Sequence, residues 1–194
     1  MASVSTPTLE DPRVGRSRQV VRLAVLEQLA EVGYGALTIE AVARRAGVGK
    51  STIYRHWPSR VELIADALEH AHVEMAPRVE SGSARERVVR LVEHVAEVVT
   101  HPLYSRCISA LIEGAERDER LRAFHYQYSA ARRGELAAVI ADGVKSGEFD
   151  SAVDAEAAAV SLLGVIFYRR LMTSEPVAPM DAEVMVAKLL CQRH

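Results

Sequence analysis

Several features are scarce in this sequence, and each scarcity excludes a class of protein. The 194 residues contain only two cysteines, Cys107 and Cys191, which lie far apart and outside any metal-binding spacing. We therefore expect neither a disulfide framework nor a cysteine-based metal site. The apolar runs are too short to span a bilayer. The first twelve residues, MASVSTPTLEDP, lack the basic start and apolar run of a secretory signal. These observations predict a cytoplasmic protein whose residues 1–12 form a disordered tail.

Aromatic residues are also few, at 5% of the chain, whereas Ala, Val, Leu, Glu and Arg are abundant. This composition favours helices, because Ala and straight-chain residues lose little conformational entropy in one. Apolar residues recur at helical spacing throughout, and no strand-like alternation persists. The predicted fold is all-α. It has nine helices, comprising an N-terminal three-helix unit and a C-terminal helical body.

Capping residues, glycines and prolines define the helix boundaries. Thr38 and the pairs Ser59/Glu62 and Ser83/Glu86 are typical of helix starts. The predicted helices cover about residues 15–33, 38–46, 49–57, 59–79, 83–101, 119–146, 154–173 and 181–191. A further helix, the sixth in order, follows the boundary at His101-Pro102 and contains Cys107, Ile108, Leu111 and Ile112. Pro58 follows Trp57 and disfavours helical backbone there, so the third helix ends at that point.

Net charge is close to zero, at −2, but the charges are distributed unevenly. From Arg13 to Arg60 nine Lys/Arg face three Asp/Glu, a net of +6; the remaining fifteen basic and twenty-three acidic residues give −8. A basic front on an acidic body indicates that the front binds a polyanion.

The stretch GVGKST at residues 47–52 resembles the end of a nucleotide-binding P-loop. A P-loop requires a glycine five residues before the glycine that precedes the lysine, after a buried strand. That position is Arg44, and the preceding segment TIEAVARRA has a helical pattern. Nucleotide binding is therefore disfavoured.

A helix-turn-helix fits the same residues better. Gly47 tolerates the positive φ that a tight turn requires, and Val42, Val48 and Ile53 supply a small core. The outer face then carries hydrogen-bond donors suited to base edges and phosphates. These candidate DNA contacts are Lys50, Ser51, Thr52, Tyr54, Arg55 and His56.

The run LTIEAVARRAGVGKSTIYRHWPSRVELI, residues 37–64, closely resembles the DNA-binding signature of the TetR family of bacterial transcriptional regulators. The resemblance is specific over about residues 14–70, and beyond them it depends on helix number and length. It implies a homodimer with two recognition helices and a ligand domain that controls their spacing. It divides the chain into a DNA-binding domain, residues 13–58, and a ligand-binding and dimerisation domain, residues 59–194.

The resemblance also assigns roles to individual residues. It implies that Lys50, Ser51, Tyr54 and His56 contact DNA and that Thr38 meets a phosphate. Arg60 stands where most family members have lysine and keeps the charge for a phosphate. Arg55 stands where an aromatic or polar residue is more common, which would shift base preference.

The acidic body offers candidates for an effector site. A pocket between helices is a common place for a small molecule. Phe124 and Tyr128, one turn apart, combine apolar rings with one hydroxyl, so we expect a largely apolar effector. The full set of candidates is Leu91, Val95, Ile108, Ile112, Phe124 and Tyr128. For each of them, ordinary core packing is the alternative interpretation.

The last two helices are the candidate dimer interface. Their apolar faces are broader than a terminal helix packed on one side requires, and pairing them across a two-fold axis would form a four-helix bundle. The candidate residues are Ala155, Ala159, Leu162, Ile166, Val184 and Ala187. The alternative is that these side chains belong to the core of their own chain.

Other function classes find little support. His70, His72, His94 and His101 lack the spacing and the accompanying ligands of a metal site, so we expect no metal and no cofactor. No catalytic motif is present, so we expect no enzyme activity. The alternative to a ligand-responsive repressor is a helical ligand-binding or scaffold protein without regulatory DNA binding. The cluster of basic residues before position 61 argues against it.

Overall fold

The protein is described by a computed structural model that covers residues 12–77, 81–174 and 182–191. Within these ranges the chain forms nine α-helices and no strand, which confirms the predicted all-α fold. The helices are α1 (Pro12–Ala36), α2 (Ile39–Ala46), α3 (Lys50–His56), α4 (Arg60–Met75), α5 (Ala84–Thr100), α6 (Pro102–Ala115), α7 (Glu119–Ser146), α8 (Ala155–Met172) and α9 (Ala182–Leu190).

Three helix ends differ from the predictions. α1 continues to Ala36 and does not end at residue 33, although Gly33 within it has non-helical backbone (φ 73°, ψ 172°). α1 begins at Pro12, inside the segment predicted as a tail, because proline is favoured in the first turn of a helix. The rest of that segment, residues 1–11, lies outside the described residues. α4 ends at Met75 and not near Val79, because Ala76 precedes Pro77 and adopts extended backbone (φ −57°, ψ 131°).

The predicted caps account for several of the other ends. Ser83 accepts a hydrogen bond from the Glu86 N–H, and the Glu86 carboxylate accepts one from the Ser83 N–H at 2.9 Å, which completes a capping box. Ser59 forms only the first half of such a box. It accepts from the Glu62 N–H at 3.2 Å, but the Glu62 carboxylate bonds the Ser59 hydroxyl instead of its backbone.

Two clusters of buried side chains form the core. The first joins α1, α2, α3 and α4 to α6 and the start of α7. The second joins α5, the end of α7, α8 and α9. The three N-terminal helices therefore share their core with the body.

The contact between α1 and α6 is close. A Cβ atom on Gly114 would lie 2.7 Å from the ring of Tyr34, so only glycine permits this approach. The Tyr34 hydroxyl donates to Asp118 at 2.5 Å, and the Cys107 thiol donates to the Leu26 carbonyl at 3.3 Å. Burial raises the pKa of Cys107 to about 12, which keeps that thiol protonated. These contacts fix α1 to the body.

Candidate nucleic-acid interface

The turn between α2 and α3 has the geometry that the sequence predicts. Gly47 adopts left-handed backbone (φ 66°) and its N–H bonds the Ala43 and Arg44 carbonyls. The Val48 N–H also reaches the Ala43 carbonyl, at 3.0 Å. α3 then begins at Lys50, with Gly49 as its N-cap at φ −73°. The turn therefore ends one helix and starts the next within three residues.

Replacing the two glycines of this turn separates their roles. Gly47→Ser places a side chain at positive φ, which costs roughly 1 kcal/mol of unfolding free energy. Gly49→Ser is the matched control, because its backbone is extended and serine is a favoured N-cap residue. We expect thermal unfolding to show a lower midpoint for Gly47→Ser and an unchanged or higher one for Gly49→Ser. Equal losses in both would contradict the assigned turn geometry.

Buried side chains fix which face of α3 points outward. Val42 and Ile53 are fully buried, and Trp57 is nearly so, which anchors α3 on the first core cluster. Lys50, Ser51, Tyr54 and Arg55 are consequently exposed, with Tyr54 at 50%. Thr52 and His56 are half-buried at the edge of the same face. The six predicted DNA contacts on α3 therefore lie on one side of the helix or along its margin.

An acidic residue that the sequence analysis did not single out also lies on this face. Glu40, in the first turn of α2, accepts a hydrogen bond from the Lys50 ammonium at 2.8 Å, and both side chains are more than half exposed. The hydrogen bond lowers the pKa of Glu40 and raises that of Lys50. Spacing alone could not reveal this pair, because it joins two helices across the turn.

The two predicted phosphate contacts outside α3, Thr38 and Arg60, differ in the hydrogen bonds that they make within the chain. Thr38 is the N-cap of α2, as predicted, and accepts a hydrogen bond from the Ala41 N–H at 3.2 Å, so its hydroxyl proton is available to an acceptor. Arg60 makes contacts within the chain, and its contact with a DNA phosphate stays a prediction. Its Nη1 donates to the carbonyls of Tyr34 and Leu37 at 3.0 Å each, and its guanidinium stacks 3.8 Å from the Tyr34 ring centre.

The orientation of Arg60 is therefore set within the chain. The end of α1 leaves carbonyl groups without helical partners, and the guanidinium bonds that of Tyr34 in α1 as well as that of Leu37, which follows the helix. The sequence did not signal this, because α1 and the start of α4 meet only in the folded chain.

Asp66 of α4 is hydrogen-bonded to α1 and to the residue that follows α3. It accepts two hydrogen bonds from Arg22 of α1, at 2.7 and 3.0 Å, and one from the Trp57 indole at 2.8 Å. Partial burial raises the pKa of Asp66, but the hydrogen bonds from Arg22 and Trp57 outweigh it, so the pKa is lowered overall. One carboxylate thus links α1, the end of α3 and α4.

This carboxylate makes stability depend on pH. A lowered pKa in the folded state means that the contribution is complete above the unfolded value, about 3.9, and is lost as pH falls through the lower folded value. We expect Asp66→Asn to lower the unfolding midpoint at pH 7, and the deficit to shrink as pH falls below about 4. Chemical denaturation across pH measures this. Asp142→Asn is the control, since the Asp142 side chain is exposed and its Oδ2 lies 3.4 Å from Nη2 of Arg87. If the stability deficit of Asp66→Asn persists undiminished at low pH, the charge of Asp66 does not have the role assigned to it.

The predicted effector residues divide between the two core clusters. Phe124 and Tyr128 pack against the first cluster, with ring centres 5.6 Å apart. Leu91, Val95 and Ile108 pack against the second. Ile112 is half-buried and belongs to neither. Phe124 and Tyr128 are thus brought together as expected, whereas the aliphatic candidates lie elsewhere in the body.

The predicted dimer residues on α8 lie on the side of the helix that faces the core of its own chain. Ala159, Leu162 and Ile166 are at most 1% exposed within the single chain, so they have no surface left for a partner. Ala155 is half-buried against the same core cluster. The correction has a simple reason: α8 is apolar on both sides, and periodicity did not show which side faces the core. On α9, Val184 is exposed and Ala187 half-buried.

The outward side of α8 carries a second apolar stripe. Val160, Val165, Tyr168, Leu171 and Met172 are 41–71% exposed. Val165 and Tyr168 also line an open groove of about 550 Å³. The groove is lined by Ser161, Gly164, Val165, Tyr168, Arg169 and Thr173. An exposed apolar patch of this kind on a helical surface is typical of an interaction site.

Other kinds of site were also sought in the described residues. Across 12–77, 81–174 and 182–191, no three histidine, cysteine or acidic side chains lie together as metal coordination requires. None of the helices in these ranges combines the length and apolar character of a membrane-spanning segment.

A short helix with an outward row of donors, joined to a supporting helix by a three-residue turn, defines a helix-turn-helix protein. Comparisons with known proteins agree. Residues 24–67 match the family model described as "Bacterial regulatory proteins, tetR family". Residues 78–189 match the model described as "Tetracyclin repressor-like, C-terminal domain". The chain belongs to the TetR family of helix-turn-helix transcriptional regulators.

Individual relatives span most of the chain. The uncharacterized HTH-type transcriptional regulator YdeS of Bacillus subtilis is 28% identical over 167 residues, covering 86% of this chain and 84% of that protein. The DNA-binding transcriptional repressor TetR of Mycobacteroides abscessus is 31% identical over 112 residues, covering 55% of this chain and 57% of that protein. The crystal structure of the TetR family regulator SCO0332 has a TM-score of 0.70 and 31% identity, covering 90% of this chain and 96% of that one.

Proposed function

We propose that this chain is a ligand-responsive repressor that binds a palindromic operator as a homodimer. The observation that carries the proposal is the outward face of α3, where exposed donors and Tyr54 surround a positive helix start. α3 lies in the major groove, with Lys50, Ser51, Tyr54 and Arg55 toward base edges and phosphates. Thr52 and His56 contact DNA at the margin of this face, and Thr38 donates to a phosphate.

Within this proposal Arg60 acts as a positioning residue. It holds the α1 end and Thr38 in place through the Leu37 carbonyl, which directly precedes Thr38. Glu40 holds Lys50 until DNA competes for the ammonium, since a phosphate or a guanine edge offers stronger or bidentate acceptors. Residues 13–58 serve as the DNA-binding domain and 59–194 as the domain for ligand binding and dimerisation.

The second copy pairs through α8 and α9. α8 carries an exposed apolar stripe in addition to its buried face, and an exposed apolar patch of this kind is typical of an interaction site. The second copy covers Val160, Val165 and Tyr168 and meets Gly164, around which a Cβ would find open space. Two α8–α9 pairs then form a four-helix bundle about a two-fold axis, which places the two α3 helices on successive major grooves about 34–36 Å apart.

An effector within the body controls this spacing. α4 begins at the end of the DNA-binding domain and also borders the body, so a ligand that moves α4 changes the separation of the two α3 helices. A coupling of about 1–3 kcal/mol would weaken operator binding roughly 5- to 150-fold. The protein acts on DNA, so we place it in the cytoplasm.

A gel-shift titration on the DNA upstream of the chain's own gene tests the proposal. We expect a shift that weakens with salt, because phosphate contacts release counterions. A fragment with the palindrome shuffled should bind at least roughly 10³-fold more weakly. Binding that ignores the palindrome, or no binding at all, would favour the alternative of a helical ligand-binding or scaffold protein.

A further inference from the structure

The basic front of the chain contains three acidic residues, and one of them lies on the surface that we propose to face DNA. Glu27 and Glu31 of α1 lie 3.6 and 2.6 Å from nitrogen atoms of Arg45, in the last turn of α2. Glu40 is in the first turn of α2, and its carboxylate lies 2.8 Å from the Lys50 ammonium of α3. Because phosphates repel a carboxylate, Glu40 at this place weakens DNA binding unless it finds a donor there.

Glu40 and Lys50 present one acceptor and one donor side by side to the solvent. Their side chains are 58% and 54% exposed. Their hydrogen bond lowers the pKa of Glu40 and raises that of Lys50, so both are charged at pH 7. An ammonium has three donor hydrogens and a carboxylate has several lone pairs. Each group can therefore form further hydrogen bonds with a molecule that approaches this surface.

The major-groove edge of a C·G base pair is complementary to these two side chains. Cytosine presents its N4 amino group as a donor, and guanine presents O6 and N7 as acceptors. N4 and O6 are hydrogen-bonded to each other within the base pair, so they lie about 2.9 Å apart. The Glu40 Oε1 and the Lys50 Nζ are 2.8 Å apart. Glutamate is a known partner of cytosine N4, and lysine of guanine O6 and N7, so each side chain meets the base that suits it.

An A·T base pair and a phosphate fit the two side chains less well. In an A·T pair the adenine N6 donor lies between two acceptors, adenine N7 and thymine O4, so a carboxylate there faces lone pairs on both sides. The thymine methyl group also lies next to O4, the acceptor left for the ammonium. A phosphate would bind Lys50 but leave the Glu40 carboxylate beside another anion. The C·G pair is thus the partner that satisfies both charges.

We propose that Glu40 and Lys50 together read a C·G base pair in each half of the operator. The Glu40 carboxylate accepts a hydrogen bond from cytosine N4, and the Lys50 ammonium donates to guanine O6 or N7. This inference rests on the proposed DNA-binding function and adds Glu40 to the residues that determine base preference. The supporting helix α2 then contributes to sequence specificity as well as holding α3 in place.

Binding-site selection from DNA with a randomised palindromic half-site tests this inference. We expect the wild type to select a C·G pair, and Glu40→Ala and Lys50→Ala each to reduce the preference for that same pair about tenfold. Glu31→Ala is the matched control, because Glu31 is similarly exposed, at 51%, and also pairs with a cation on another helix. Its partner Arg45 lies at the opposite end of α2, so the control should retain the preference.

A modified base tests the cytosine contact with the wild-type protein. N4-methylcytosine still pairs with guanine, but a methyl group replaces the amino hydrogen that points into the major groove. At the selected C·G pair we expect this base to weaken wild-type binding about tenfold. It should have little effect on Glu40→Ala, which has no carboxylate to lose its donor. Fluorescence polarisation with labelled operator DNA measures both affinities.

The outcomes separate this inference from the proposed function. If Glu40→Ala binds all sequences more tightly and keeps the same preferred bases, Glu40 only repels DNA and the inference is wrong. Wild-type binding that is indifferent to N4-methylcytosine, or preferences lost at different positions in Glu40→Ala and Lys50→Ala, would also overturn it. Circular dichroism confirms that each variant is folded, and the modified base needs no variant. Failure to select any sequence would refute the regulator itself, whereas a selected sequence without the shared C·G pair would refute only this inference.

Discussion

Replacing Tyr54 by alanine will strongly weaken specific operator binding while leaving the fold and the dimer unchanged. Tyr54 is half exposed at the centre of the outward face of α3, and the buried Ile53 already anchors the helix, so the ring is not needed for packing. Loss of a good base contact costs about 1–3 kcal/mol, and a symmetric dimer loses it twice. The expected loss of about 2–6 kcal/mol lowers operator affinity by a factor of roughly 30 to 10⁴.

Gel shift and size-exclusion chromatography together measure this result. Tyr126→Ala is the matched control, because Tyr126 is 63% exposed on α7, away from the turn between α2 and α3. We expect the control to bind the operator as the wild type does. Operator affinity that survives Tyr54→Ala would show that another surface of the molecule recognises the DNA.

Val165→Asp will convert the dimer to monomers and thereby remove most operator affinity. Val165 borders the groove on the outward side of α8 and is 41% exposed in the single chain. In the proposed dimer each charge is buried next to its symmetry mate, and an unpaired buried charge costs several kcal/mol. A monomer contacts only one half-site and loses the second set of contacts, so we expect operator binding to weaken by about 10³-fold or more.

Analytical ultracentrifugation gives the oligomeric state directly. Val73→Asp serves as the control, since Val73 is 72% exposed on α4 and its change adds the same charge outside α8. The control should remain dimeric. If Val165→Asp also remains a dimer, the second copy docks on a different surface, and the proposed arrangement of the two α3 helices is wrong.

The DNA-binding unit was predictable because its signals are local. A glycine at the end of α2, a threonine before it and a proline after Trp57 each act on their immediate neighbours, and the structure has the turn, the N-cap and the helix end at those positions. The buried face of α3 follows from Ile53 and Trp57 in the same way. Local rules also explain why α4 is shorter than periodicity suggested, because Pro77 disfavours helical backbone at Ala76.

Contacts between distant segments were not predictable from spacing. Spacing did not reveal that Arg60 also meets the end of α1, which lies more than twenty residues earlier in the chain. The Asp66 hub and the Glu40–Lys50 pair are likewise tertiary contacts. α8 shows the same limit, because a helix that is apolar on two sides carries no signal for which side meets its own chain. Phe124 and Tyr128 were found together because they are one turn apart on a single helix.

Methylation protection on the operator tests the central claim most directly. Dimethyl sulfate modifies guanine N7 in the major groove and adenine N3 in the minor groove. We expect the protein to protect guanine N7 in two patches whose centres lie one helical turn, about 10–10.5 base pairs, or a whole multiple apart. Tyr54→Ala should remove both patches together. Protection confined to adenine N3, or a single unpaired patch, would contradict a dimer that places two copies of α3 in the major groove.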